Sequence, residues 1–249
     1  MVYAMTSILA VSLLLIGLGV IITGFMDKKR EKIMRNISTS KIATLSPGLV
    51  EVIGTVVADK LTQSPFSNTS CVYCRYTIEE HELLSLKNEW KSKKEFIENN
   101  VFLLNDDSGK IFIVPDDAEV DVPIIYESII KHDTDIPVHV KDCLKKHEIK
   151  FKGGITGKHK SLRLREYRIH PKDTLYVLGG VEKNPRGIKY ITKNKNPKIY
   201  YITKRSKKIN LAHHDTFSPK ALIVGGSILT LFSGGILFIA LLDQLRFLF

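Results

Sequence analysis

Cys71-Val-Tyr-Cys74 is the sequence's single CxxC, and thiols at that spacing can do chemistry. At a helix start such a pair is a redox centre, and in a knuckle it supplies half of a zinc site. Its surroundings argue for neither. Val72, Cys74, Tyr76 and Ile78 alternate with their neighbours at period two, which predicts a half-buried strand. Residues three apart on a regular strand face opposite sides, so Cys71 and Cys74 are expected to diverge. Cys143 falls on an apolar helix face, and no second ligand pair stands at zinc spacing, so neither a metal nor a cofactor is expected.

Other clusters read the same way. His213-His-Asp215 could offer imidazole nitrogens to a metal, but its place before an apolar block makes it a polar interfacial cap. Asp116-Asp-Ala-Glu-Val-Asp121 lacks the glycine and glutamate of a calcium loop and reads as a solvated turn. The sequence contains no GxSxG, P-loop or HExxH, so hydrolase and nucleotide chemistry find no support and no catalytic residue is expected.

Charge is the stronger signal. The chain carries 37 Lys+Arg against 26 Asp+Glu, net +11, and mean hydropathy is zero only because two uncharged apolar blocks offset a polar middle. Ala4 to Phe25 would reach about 33 Å as a helix, enough for a hydrocarbon core of about 30 Å, and residues 221–242 have the same reach. These are the two expected spans, which argues against a simple water-soluble enzyme and against a polytopic transporter. The first block lacks a basic n-region and is followed by positive charge, the pattern of an uncleaved anchor.

Lys28, Lys29, Arg30, Lys32 and Arg35 follow the first span, and Lys204, Arg205, Lys207, Lys208 and Lys220 precede the second, whereas the outer flanks hold only Arg246. The positive-inside rule then puts the middle domain in the cytoplasm and both termini outside, in a multi-pass cell-membrane protein. The triplets Asn36-Ile-Ser38 and Asn68-Thr-Ser70 would be glycosylated only with the opposite topology. The same flanking bases are candidate contacts to lipid headgroups, worth roughly 1 kcal/mol each near an anionic surface. Nucleic acid is the alternative partner for Lys158-His-Lys160, Arg163, Arg165, Arg168 and the tract from Lys189 to Lys208 with Tyr190, Tyr200 and Tyr201; the spans favour lipid.

A basic connector is expected over 27–46 and a β-rich α+β domain over 47–210, entered at Pro47-Gly48. Strands are predicted at Leu49 to Ala58, Arg163 to Ile169, Leu175 to Val181 and Ile199 to Thr203. A hairpin is predicted around Asn105-Asp-Asp-Ser-Gly109. Val140, Cys143, Leu144 and His147 recur at helical spacing after Pro137. Within the spans, Gly17, Gly24, Gly226 and Gly234 permit close helix approach, so a helix-mediated homo-oligomer is one possible association.

The motif order then becomes informative. Ser64-Pro-Phe-Ser-Asn-Thr-Ser-Cys-Val-Tyr-Cys-Arg-Tyr76, Trp90, Phe102-Leu-Leu-Asn-Asp-Asp-Ser-Gly-Lys-Ile111, Arg165-Glu-Tyr-Arg-Ile-His-Pro-Lys-Asp173 and Tyr201-Ile-Thr-Lys-Arg-Ser206 follow one another between two apolar spans. The arrangement resembles the GIDE-type membrane-anchored E3 ubiquitin ligases, whose domain between the spans is termed BAM, "beside a membrane". The resemblance implies a substrate- or partner-binding domain, with Ser64, Pro65, Arg75, Tyr76, Trp90 and Glu166 as partner-contact candidates. In the ligases, transfer depends on a zinc-bound RING after the second span. The seven residues from Asp243 to Phe249 hold no Cys or His, so a module that binds a protein or lipid-linked partner at the membrane surface and is non-catalytic alone is expected, or one acting with a separate RING subunit. The family's intermembrane-space placement conflicts with the flanking charges, which favour the cytoplasm.

Overall fold

The computed structural model describes residues 2–81, 90–131, 135–149, 161–204 and 218–246. The chain falls into two units, one formed by Met1–Ile37 with Lys207–Phe249 and the other by Ser38–Ser206.

The first unit is a pair of helices, α1 (Val2–Asn36) and α3 (Pro219–Arg246). Proline at the first position of α3 suits a helix start, and the Ser218 hydroxyl accepts the Ala221 amide at 3.2 Å as its cap. The first part of the expected basic connector is helical in the structure. Asp27 to Asn36 continues α1, because Lys, Arg, Glu and Met are good helix formers with no glycine or proline to interrupt them. Segments Ser7–Met34 and Pro219–Ala240, with hydropathy of 2.6 and 2.2, are long and apolar enough to cross a membrane.

Glycine sets how closely the two helices approach. A Cβ on Gly17 would stand 2.7 Å from a Thr230 side-chain carbon, one on Gly226 2.7 Å from Ile21, and one on Gly24 2.8 Å from Ile223. These three glycines serve the helix pair inside one chain. Gly234 has open space where its side chain would be, so it contributes nothing to that packing. Leu9, Ile16, Phe25, Leu231, Phe232 and Phe238 project outward, leaving both helices apolar on their outer faces as well.

The second unit begins before the expected Pro47. Thr39 bridges to Glu51, and Ile42, which opens a short 3-10 turn at Ile42–Thr44, and Leu45, which follows it, are buried in the unit's core. Five of its strands close on themselves: β1 (Gly48–Val57), β6 (Phe102–Asp106), β7 (Gly109–Ile113), β11 (Thr174–Lys183) and β12 (Lys189–Thr192). β1 pairs antiparallel with β6 and β6 with β7; β7 runs parallel to β12; β12 pairs antiparallel with β11, and β11 returns to β1. Where β1 leaves β11 for β6, Gly54 allows the turn, since a Cβ would lie 2.7 Å from the Asn105 carbonyl oxygen. Val52, Phe102, Leu104, Ile113, Val177 and Ile191 fill the interior. β13 (Tyr201–Thr203) extends the wall from β11 and carries β8 (Glu119–Asp121) in parallel.

Inserted between barrel strands lies a second sheet in the order β5-β4-β10-β9, formed by β5 (Trp90–Asn99), β4 (Tyr73–His81), β10 (Leu162–Ile169) and β9 (Ile124–Ile130). Short β2 (Thr62–Gln63) and β3 (Ser70–Cys71) form a ribbon beside it. One face of the sheet, through Tyr76, Ile78, Leu162 and Leu164, shares a core with Val140, Cys143 and Leu144 of α2 (Val138–Lys146). Aromatic and aliphatic residues at alternate positions make that face, as period two requires.

Candidate functional site

The motif 64–76 folds as a loop followed by a bent strand. Glu166 of β10 is fully buried, and its carboxylate accepts the Phe66 amide at 2.6 Å, the Ser67 amide at 3.2 Å and the Ser67 hydroxyl at 2.6 Å. Arg168 lies 3.4 Å from the same carboxylate and donates to the Ser64 hydroxyl at 3.1 Å and to Ser67. The His139 ring nitrogen meets the Phe66 carbonyl at 3.0 Å. A buried carboxylate with three donors and an arginine beside it is satisfied locally, so this network fixes the loop.

The structure places three of the six partner-contact candidates inside the domain. Ser64, Tyr76 and Glu166 are interior, because each is a hydrogen-bond or packing element of the loop and the second core. Pro65 is half-buried. Arg75 and Trp90 do reach a surface.

The two thiols do not diverge. A bend at Val72 separates β3 from β4, so strand alternation is broken between Cys71 and Cys74, and both are buried in the same core. The hydrogen bond that they share holds Cys71 below its usual value, against burial, and pushes Cys74 well above it. Burial pushes Cys143 up to about 11. Among the described residues no group of three or more His, Cys, Asp or Glu could hold a metal ion.

The other face of the four-stranded sheet is where Arg75 and Trp90 stand. Its cross-strand register sets Arg75 beside Tyr167, Thr77 beside Arg165, and Glu79 beside Arg163. Arg75 lies over the Tyr167 ring at 4.0 Å and Arg163 over the Trp90 ring at 4.8 Å. Glu79 bonds Arg163 and also Arg165, the latter at 3.1 Å; Arg165 reaches Glu127 at 2.6 Å, and Arg75 reaches Glu95 at 3.6 Å. Ile97 and Ile129, on the two edge strands, are exposed. Arginine on aromatic rings with apolar margins is the composition of protein-binding surfaces. Tyr167, Glu79, Glu95 and Glu127 were not singled out from sequence, and β5 and β9 were not read as strands. The charged string Trp90 to Asn99 hides its alternation, but Glu-Arg spacing at period two on β4 and β10 was a usable signal.

On the opposite side of this sheet, His147 stacks on Phe96 at 3.6 Å and meets the Tyr76 hydroxyl at 2.9 Å. Burial, with Lys146 and Lys94 nearby, lowers its pKa from 6.5.

The basic candidates separate similarly. Lys28, Lys29 and Lys32 are exposed on α1, where Arg30 and Arg35 complete the cluster in sequence. Lys204 is not free for headgroups: it binds Asp173 at 2.6 Å and is mostly buried. Arg205, Lys207 and Lys208 lie outside the described residues, as do Lys158 to Lys160 and His213 to Asp215. Of the residues considered for nucleic acid, Arg163, Arg165 and Arg168 are engaged by carboxylates, while Tyr200 and Tyr201 are interior.

A family model described as GIDE, E3 ubiquitin ligase, matches residues 75–238. The chain therefore belongs to the GIDE family: the match covers the larger part of the chain, including the second sheet, most of the barrel and the second apolar helix. No curated protein and no solved structure matches it.

Proposed function

We propose that α1 and α3 anchor the chain in a membrane and that its β domain is a GIDE-type binding module for a protein partner at the membrane surface. The observation that carries this reading is the family match running through the domain into an apolar helix of spanning length. The open sheet face with Arg75, Tyr167, Arg163 and Trp90 is the partner surface, and Lys28, Lys29 and Lys32 meet anionic headgroups from the cytoplasmic side. The chain supplies binding, and a separate subunit supplies any ubiquitin transfer. Its three thiols support that division, because each is buried where a thioester has no access.

Purified full-length chain incubated with ubiquitin, activating enzyme, conjugating enzyme and ATP is expected to form no conjugates. Conjugates formed without another subunit would contradict the proposal. Co-purification of a RING protein would make the chain the binding component of a two-subunit ligase.

A further inference from the structure

The barrel has a connectivity of its own. Taken in chain order as strands one to five, β1, β6, β7, β11 and β12 close as 1-2-3-5-4-1, with the third and fifth parallel. That is the order of the OB-fold, whose second and third strands and whose one-two and four-five loops form a ligand face for oligonucleotides. Topology alone does not assign a ligand. The side chains on that face must do so.

They form one stripe. Val57, Leu103, Phe112, Tyr190 and Glu182 are successive cross-strand partners over β1, β6, β7, β12 and β11. Phe112 is 40% exposed, because its neighbours Ile111 and Ile113 take the inward positions. Tyr190 stands beside it on the parallel strand, half-buried, its hydroxyl donating to Glu182 at 3.1 Å. Cations bracket the rings at both ends of β12. Lys183 and Arg186 are exposed on the four-five hairpin, and Lys193, Lys195 and Lys198 are exposed after β12. From 182 to 198 Glu182 is the sole acid, and Lys195 binds it at 2.9 Å. The carboxylates of the β6–β7 turn are engaged: Asp106 by the Ile42, Ser108 and Gly109 amides, and Asp107 by Lys41.

We infer that this barrel wall binds single-stranded nucleic acid, with bases stacked on Phe112 and Tyr190 and phosphates held by Arg186, Lys193 and Lys198. Stacking rings with Arg186, Lys193 and Lys198 exposed around them, and no ion pair to those cations among the described residues, distinguish this from lipid contact, which needs the charge and not the rings. Duplex is disfavoured because its bases are already stacked. The inference is independent of the protein partner proposed above, which uses the other sheet.

The test uses the full chain in phosphatidylcholine nanodiscs, titrated into a fluorescein-labelled oligothymidylate of about 12 nucleotides and followed by anisotropy. Saturable binding is expected, with log K falling against log salt by roughly 0.7 per phosphate contacted. Phe112→Ala is expected to weaken binding about tenfold or more with an unchanged melting temperature. Should that variant melt lower, Phe112→Leu keeps the apolar contact, removes the ring and is expected to lose the same binding. Arg186→Gln with Lys193→Gln is expected to flatten the salt dependence. Absence of binding, binding that Phe112→Leu leaves intact, or displacement of the oligonucleotide by polyglutamate or phosphatidylserine vesicles at equal charge concentration would each overturn the inference.

Discussion

The arginine-bearing face of the four-stranded sheet and the barrel wall around β12 use the same ingredients, cations beside aromatic rings, and connect them in different ways. On the sheet, each arginine has a carboxylate partner: Arg163 and Arg165 share Glu79, Arg165 also reaches Glu127, and Arg75 reaches Glu95. On the barrel wall, Lys183, Arg186, Lys193 and Lys198 stand exposed around a stripe with one acid. Matched charges fix side chains in a lattice and make a surface of defined shape, suited to a protein. Unmatched charges leave a positive potential, suited to a polyanion. Cations beside rings thus suit different proposed ligands according to their neighbours.

The largest expected effect comes from the network beneath the lattice. Glu166→Ala leaves Arg168 buried without its carboxylate and frees the 64–70 loop, an expected loss of about 3–5 kcal/mol in denaturant unfolding. A loss no larger than that of a surface substitution would show that the loop is held otherwise. In the helix unit, Gly226→Leu drives a side chain into Ile21 and the Gly17 carbonyl, whereas Gly234→Leu meets open space. The first is expected to lower pair stability by about 1–3 kcal/mol and the second to be nearly neutral, as read by thermal unfolding in detergent.

The comparison itself is sharpened by paired substitutions. Arg163→Ala removes an ion pair and the ring contact with Trp90, at an expected cost of about 1–2 kcal/mol in stability, while Lys183→Ala is expected to leave the melting temperature unchanged. Equal effects would erase the distinction between matched and unmatched cations.

The smallest effect is one of pH. The folded His147 pKa is lowered from 6.5, chiefly by burial, so the unfolded chain binds more protons below that value. Its stabilising contribution is present above pH 6.5 and fades as pH falls through the folded value. Melts at pH 7.5 and 5 are expected to show a slightly smaller decline in His147→Asn than in the parent chain.

The legibility of the chain followed the clarity of its periodicity. β1, the β6–β7 hairpin, β10, β11 and α2 were readable because apolar residues recur at period two or at helical spacing. β5 and β9 were not, since edge strands carry charge or exposed isoleucine and lose the alternation that one-sided burial imposes. The bend at Val72 defeated the inference that two strand residues three apart must diverge, and a local kink leaves no mark in composition. Arg75, from the Ser64–Tyr76 motif, and Trp90 reach a surface. Glu166 sat in a different motif, Arg165 to Asp173, and proved interior, since sequence order cannot tell a residue that shapes a loop from one that meets a partner.

Protease protection in sealed, oriented vesicles is the most direct test of the proposal that the domain is anchored and faces the cytoplasm. The account predicts that external protease digests the β domain in inside-out vesicles and leaves it intact in right-side-out vesicles until detergent is added. Digestion in intact right-side-out vesicles, or release of the chain from the membrane by alkaline carbonate, would contradict it.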